Sequence, residues 1–195
     1  MKKKIYIFSL LLGMLSFISV QNAEAQKVAA KTNLAYWGVF GSPNLGIEFA
    51  MGDKFTLDLN GGMNMWKFSD NKKAKHWLVQ PEVRYWFCDV FNGHFIGLHG
   101  HGGEFNIGNW NIPVGRLKTF KDNRYEGYFY GAGLSYGYQW VLSPRWNLEL
   151  SLGGGWARIH YRQFDCAECG AFKNEGNYDY FGITRTTLSL VYFIK

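Results

Sequence analysis

Proline is scarce in this chain, with four in 195 residues, and so are helix-period stretches with recognisable caps. Past the first twenty residues no apolar run is long enough to cross a membrane as a helix. Phosphate loops, nucleophile elbows and zinc-protease motifs are absent, which leaves catalysis without a familiar signature. Strong charge is missing too. Removing residues 1–25 takes three Lys and one Glu from 21 basic and 15 acidic residues, leaving a net charge of +4. That is too modest for a nucleic-acid partner.

What is present is aromatic and glycine-rich: 18% Phe, Trp and Tyr, and 24 Gly. The chain opens on Lys2, Lys3 and Lys4, an apolar run from Ile5 to Val20, and Ala23-Glu24-Ala25. A basic start, a short apolar core and an Ala-x-Ala site predict a secretory signal peptide over 1–25, cut before Gln26. No Cys stands at the cleavage point, so no N-terminal lipid anchor is expected. Residues 26–195 are then expected to form a single domain.

The stretch Tyr128 to Trp140 sets the expectation for that domain. Tyr128, Tyr130, Ala132, Leu134, Tyr136, Tyr138 and Trp140 alternate with Phe129, Gly131, Gly133, Ser135, Gly137 and Gln139. A period of two sends these sets to opposite faces of a strand. An apolar face with aromatic ends, backed by a small polar face, fits a strand that crosses a bilayer and lines a barrel interior. Similar alternation predicts strands over 28–37, 44–51, 55–66, 76–87, 95–104, 146–161 and the C-terminal segment. In the fifth of these eight, Ile96 and Leu98 are expected outward, with His99 and His101 inward. Arg158 interrupts the apolar set of the seventh, which predicts a bulge near Gly155 or an exit from the membrane.

Short turns at 52–54, 88–93 and 143–145 alternate with longer connections, including 105–124 and 162–177. The fold expected is all-β: an antiparallel up-and-down transmembrane β-barrel of about eight strands, in the outer membrane after Sec export. Phe49, Phe55, Trp86, Phe87, Phe91, Phe95, Trp140 and Trp146 flank the short turns and are expected to form an inner aromatic girdle.

Several segments also resemble a known family. They are Lys31-Thr-Asn-Leu, Pro43-Asn-Leu-Gly-Ile-Glu-Phe, His76-Trp-Leu-Val-Gln-Pro-Glu-Val-Arg-Tyr-Trp-Phe, Gly97-Leu-His-Gly-His and Tyr130-Gly-Ala-Gly-Leu-Ser-Tyr-Gly-Tyr-Gln-Trp. Together they resemble an uncharacterised outer-membrane β-barrel family of the Bacteroides type, domain of unknown function 3575. The resemblance covers essentially the whole mature chain and implies an exported barrel. It implies no activity and carries over no catalytic residue.

Charged residues fall repeatedly on the inward phase: Lys31, Glu48, Asp58, Glu82, Arg84, Glu149 and Arg185. They could form an ion path, an acid–base site, or a structural network filling the lumen; the narrowness of a small barrel favours the network. His99 and His101 share a face and could hold a metal with a third ligand such as Glu82 or Glu104, yet no third ligand can be placed, so the site expectation is no metal and no cofactor. Cys166 and Cys169 are expected to form a local disulfide in an external loop, with Cys88 left as a free thiol. His160 has no Ser or acid assigned to it that would make a catalytic set. The expected role is structural or surface-interactive: contact with outer-membrane lipid, and an envelope or surface protein reached through loops 105–124 and 162–177. A lipid-modifying enzyme, a narrow pore and a lipocalin-like carrier are the alternatives; the outward apolar face argues against the last.

Overall fold

A computed structural model describes residues 28–38, 41–66, 68, 72–110, 119–165 and 170–194. Eight strands follow one another: β1 (Val28–Asn33), β2 (Asn44–Ala50), β3 (Phe55–Asn64), β4 (Lys73–Trp86), β5 (Gly93–Gly108), β6 (Arg124–Ser143), β7 (Trp146–Phe164) and β8 (Phe172–Phe193). A five-residue helix, α1 (Leu34–Gly38), follows β1. Each strand pairs antiparallel with its sequence neighbour, and β1 pairs with β8 from Ala29↔Phe193 to Asn33↔Ser189, so the sheet closes into an up-and-down barrel. The segment expected as a signal peptide lies outside the described residues.

The barrel is apolar outside and polar inside. On β3, Thr56, Asp58 and Asn64 are buried while Phe55, Leu59 and Met63 are exposed. On β6, Ser135 and Gln139 are buried between exposed Leu134, Tyr136 and Trp140. Strict alternation fixes this, because a slip of one residue would turn every charged side chain out and every Leu in. On β5, His99 and His101 face inward and Ile96 and Leu98 outward.

The wall is uneven in height. β1, β2 and β3 have 6, 7 and 10 residues, whereas β6, β7 and β8 have 20, 19 and 22. Three expectations are corrected here. β1 stops at Asn33 instead of reaching Trp37, because the Asn33 side-chain oxygen accepts the backbone N–H of Ala35 (3.0 Å) and Tyr36 (3.4 Å) and so caps α1. Most of the expected loop 162–177 is strand: Arg162 stands opposite Glu175 and His160 opposite Asn177, leaving 165–171 as the connection. Likewise 105–108 and Arg124 belong to β5 and β6. Third, β7 does not bulge on its own account. The register shifts where Gly153 faces Arg185 and Gly154 faces Ile183, so the extra residue is Thr184 of β8. Arg158 keeps its outward phase and pairs with Asp179 at 3.1 Å.

The short-turn end is closed by hydrocarbon. Trp86, Phe91 and Phe95, together with Ala29, Val191 and Phe193, form a buried cluster inside the barrel. The expectation that Trp86, Phe91 and Phe95 belong to an outward girdle is therefore corrected; Phe55, Phe87, Trp140 and Trp146 are the exposed members. Phe91 reaches inward from the turn with φ at 63°, a conformation costly for a bulky residue. Its ring meets Phe193 at 5.2 Å, and its carbonyl accepts a hydrogen bond from Asn147 at 2.9 Å.

Candidate functional site

Directly above that aromatic floor lies a layer of ionised side chains. Lys31, Glu48, Asp58, Glu82, Arg84, Glu149 and Arg185 are each at most 3% exposed. They come from β1, β2, β3, β4, β7 and β8. Alternation aims them inward, and the register, with Glu48 opposite Asp58 and Asp58 opposite Glu82, brings them to one level of the lumen.

Arg84 is the centre of the layer. Its Nε donates to Glu82 (2.6 Å), its Nη1 to Glu48 (3.1 Å) and Glu149 (2.8 Å), and its Nη2 to Glu149 (3.0 Å); Nη2 also forms an ion pair with Asp58 at 2.8 Å. The Phe95 ring lies under the same guanidinium, 4.4 Å from its carbon. Lys31 meets Glu149 at 2.6 Å, Glu48 at 2.9 Å and Asp58 at 3.5 Å. Arg185 Nη2 meets Asp58 at 2.8 Å and Glu82 at 3.3 Å. Four acids thus face three bases. Burying charge is costly, and attraction offsets the cost only where geometry is good and remaining lone pairs are bonded.

Uncharged neighbours supply much of that bonding. Thr56 donates to Glu48 (2.5 Å), Asn60 to Asp58 (2.6 Å), Thr187 to Glu149 (3.3 Å), and Ser135 to Glu82. Trp86 donates to Thr56 (3.0 Å), tying the aromatic floor to the layer. These hydroxyls and amides were not singled out from sequence, although their inward phase was legible.

β5 and β6 contribute room instead of charge. A Cβ at Gly97 would crowd the Glu82 carboxylate, and one at Gly137 would overlap the Phe95 ring. Inward glycines on this wall leave room for the Glu82 carboxylate of the neighbouring β4 and for the Phe95 ring of β5 itself.

The two histidines sit higher. His99 Nε2 meets Thr184 Oγ1 at 2.9 Å, its Nδ1 is 3.9 Å from Glu82, and its ring lies 5.7 Å from that of His101. Glu104, considered as a third ligand, faces outward and accepts a hydrogen bond from Trp77 at 3.0 Å. Among the described residues no three His, Cys, Asp or Glu side chains are gathered to hold a metal. His160 also faces outward, stacked on Tyr128 at 5.0 Å and bonded to Asn177 at 2.7 Å. Cys166 and Cys169 lie outside the described residues; Cys88 is free and exposed.

At the opposite rim, α1 carries Tyr36, whose hydroxyl meets His76 Nε2 at 2.5 Å with the rings edge to face at 5.6 Å. Burial pushes the Tyr36 phenol up to about 12.

No curated protein and no solved structure matches the chain. A family described as "Protein of unknown function (DUF3575)" matches residues 8–194, and the chain belongs to that family.

Proposed function

We propose that the protein is a small outer-membrane barrel, exported by a leader over 1–25, with a plugged lumen and a structural or surface-interactive role. The observation that carries the reading is the inversion of the barrel: seven buried Lys, Arg, Asp and Glu side chains inside, and an apolar wall outside. Large exposed residues such as Leu45, Leu98, Leu134 and Leu150 run around mid-wall, with Phe55, Phe87, Trp140 and Trp146 at one end and Trp37, Trp66, Trp77 and Tyr128 at the other. Aromatic belts bounding an apolar band match the two interfaces of a bilayer. In water so much exposed hydrocarbon would be an aggregation liability.

A lumen filled by an aromatic floor and a bonded charge layer supports a wall element over a pore. The tall β6–β8 side supports an outward-facing contact surface, now bounded by the connections 109–123 and 165–171. The test combines fractionation with electrophysiology. The mature chain is expected to co-fractionate with outer membrane, to migrate differently boiled and unboiled on a denaturing gel, and to give no steady conductance in planar bilayers. Recovery as a detergent-free periplasmic monomer would overturn the membrane reading, and stable channel steps would overturn the plug.

A further inference from the structure

Above the charge layer the lumen is hollow. A cavity of about 470 Å³ opens there, a volume typical of small-molecule sites. Its inner lining includes Asn60, Gln80, Thr184 and Arg185, and its edge is formed by Ala35 of α1 and Ile183 of β8.

Two independent features point to a ligand. The first is Arg185, which is 3% exposed. Only its Nη2 is engaged, by Asp58 and Glu82; Nε and Nη1 have no acceptor. A guanidinium cannot shed its charge, so three of its five N–H donors await an oxygen.

The second is an interruption of the wall beside the cavity. The last seam pair is Asn33↔Ser189. Beyond it, Asn33 Nδ2 donates to the Thr186 carbonyl (3.0 Å) and Asn33 Oδ1 accepts the Leu188 N–H (3.1 Å). Further toward Phe172, no described strand pairs with β8 on its β1 side. The outer surface at this gap is apolar: Leu34, Phe181 and Ile183 are 44%, 77% and 61% exposed.

We propose that the cavity holds the head of a single-chain lipid of the monoacylglycerol type, and that its acyl chain leaves between α1 and β8 onto the apolar wall. Arg185 donates to the head's oxygens, and Asn60, Gln80 and Thr184 surround its hydroxyls. The head is uncharged because the layer beneath already holds four acids against three bases, and a further carboxylate would face Asp58 and Glu82. This rests on the membrane-spanning reading, and the test separates the two.

The mature chain is reconstituted into phosphatidylcholine vesicles, where flotation and heat-dependent gel migration report on the membrane reading first. A monoacylglycerol carrying a diazirine near its glycerol end is then photolysed and the adducts mapped by mass spectrometry. Adducts are expected at 33–36 and 183–187, above those at Leu98 on the far wall. Ala35→Trp, which fills the mouth, is expected to weaken them about tenfold, equivalent to about 1.4 kcal/mol of binding, with migration unchanged. Arg185→Lys, which keeps a charge for Asp58 and Glu82, should also weaken them. Uniform labelling around the wall, indifferent to Ala35→Trp, would overturn the site while leaving the membrane reading intact. Stronger labelling of the cavity by a fatty acid bearing the same diazirine would overturn the uncharged head. A chain that does not float overturns both readings.

Discussion

The lower and upper halves of this lumen are built on the same eight strands and are filled in opposite ways. Below, Trp86, Phe91 and Phe95 close the short-turn end, and Arg84 sits on them amid four carboxylates. Above, amides and hydroxyls line a space of about 470 Å³ beside a break in the wall. Circumference is therefore not what decides whether such a barrel is solid. The lower half is solid because the charged side chains of β1–β4, β7 and β8 converge on Arg84, while Gly97 and Gly137 leave the space that Glu82 and Phe95 fill. The upper half is hollow because β1 ends at Asn33, and α1 takes the place of a continuing strand.

The largest expected effect tests the solid half. Arg84→Met leaves four buried carboxylates facing Lys31 and Arg185 alone, and breaking a buried pair costs about 3–5 kcal/mol. Urea unfolding from detergent or lipid vesicles measures it. Arg158→Met, which breaks a pair with Asp179 at the outer surface, is expected to cost about 1 kcal/mol or less. Similar losses for both would mean that the lower lumen is as wet as the outside. Adding Glu149→Leu to Arg84→Met should recover part of the loss, since fewer acids are then stranded.

How much of this was legible in the sequence follows the same division. Alternation placed Lys31, Glu48, Asp58, Glu82, Arg84, Glu149 and Arg185 on the inward phase. The choice of face is narrowest where a charge stands between two apolar residues, as Glu48 does between Ile47 and Phe49, Asp58 between Leu57 and Leu59, and Glu149 between Leu148 and Leu150. It could not say that Arg84 would be the hub, since that depends on strand stagger. Alternation failed where both faces are polar. Arg162, Gln163, Asn174 and Glu175 read as loop, yet they pair in the ladder of β7 and β8. Beyond the apolar wall the backbone hydrogen bonds hold strands together and side chains carry no period. The bulge lies near Gly155 but on the partner strand, for a related reason: Thr184 is set by register against Gly153 and Gly154, a pairing invisible within one strand. Trp86, Phe91 and Phe95 read as a girdle because nearness to a turn says nothing of which way a ring points.

A second prediction sharpens the contrast between packed interior and open wall. A Cβ at Gly137 would overlap the Phe95 ring and lie 2.7 Å from Ser151 Cβ. Gly137→Val is thus expected to cost about 1–3 kcal/mol by overpacking. Gly154, on the outward phase, meets only the Gly182 carbonyl at 3.5 Å. Gly154→Val should change unfolding by roughly 0.5 kcal/mol or less. Equal tolerance at both positions would show that the space at Gly137 is not filled by Phe95 and Ser151.

The third prediction moves to the hollow half. Asn33→Ala removes the cap of α1 and the two side-chain bonds that extend the seam. The loss is expected at about 0.5–2 kcal/mol, the usual range for a cap. Hydrogen exchange should quicken at Ala35, Tyr36 and Leu188 while Arg84 and Glu149 stay protected. Exchange that quickens throughout the barrel would mean that the two halves unfold as one unit and that the comparison has no thermodynamic content.

The smallest effect is also confined to the hollow half and is read by pH. Tyr36 lies in α1, and burial pushes its phenol from 10.0 to about 12. The fold therefore favours the neutral phenol, which stands by His76 at 2.5 Å. Below pH 10 both folded and unfolded chains carry it neutral, and its contribution is fully present. Between pH 10 and 12 the unfolded chain loses the proton first, so stability falls as pH rises and is lost through the folded value. Tyr36→Phe removes this titration while keeping the ring that faces His76. The stability advantage of the natural chain over Tyr36→Phe should accordingly shrink from pH 10 to pH 12 in paired urea unfolding curves, with every other titrating group cancelling in the difference. The exchange rates of Arg84 and Glu149 should be alike in the two proteins across that window, because the phenol belongs to the rim and not to the layer below. A difference that stays flat from pH 10 to 12 would place Tyr36 in water and open the upper lumen to solvent along the whole of α1.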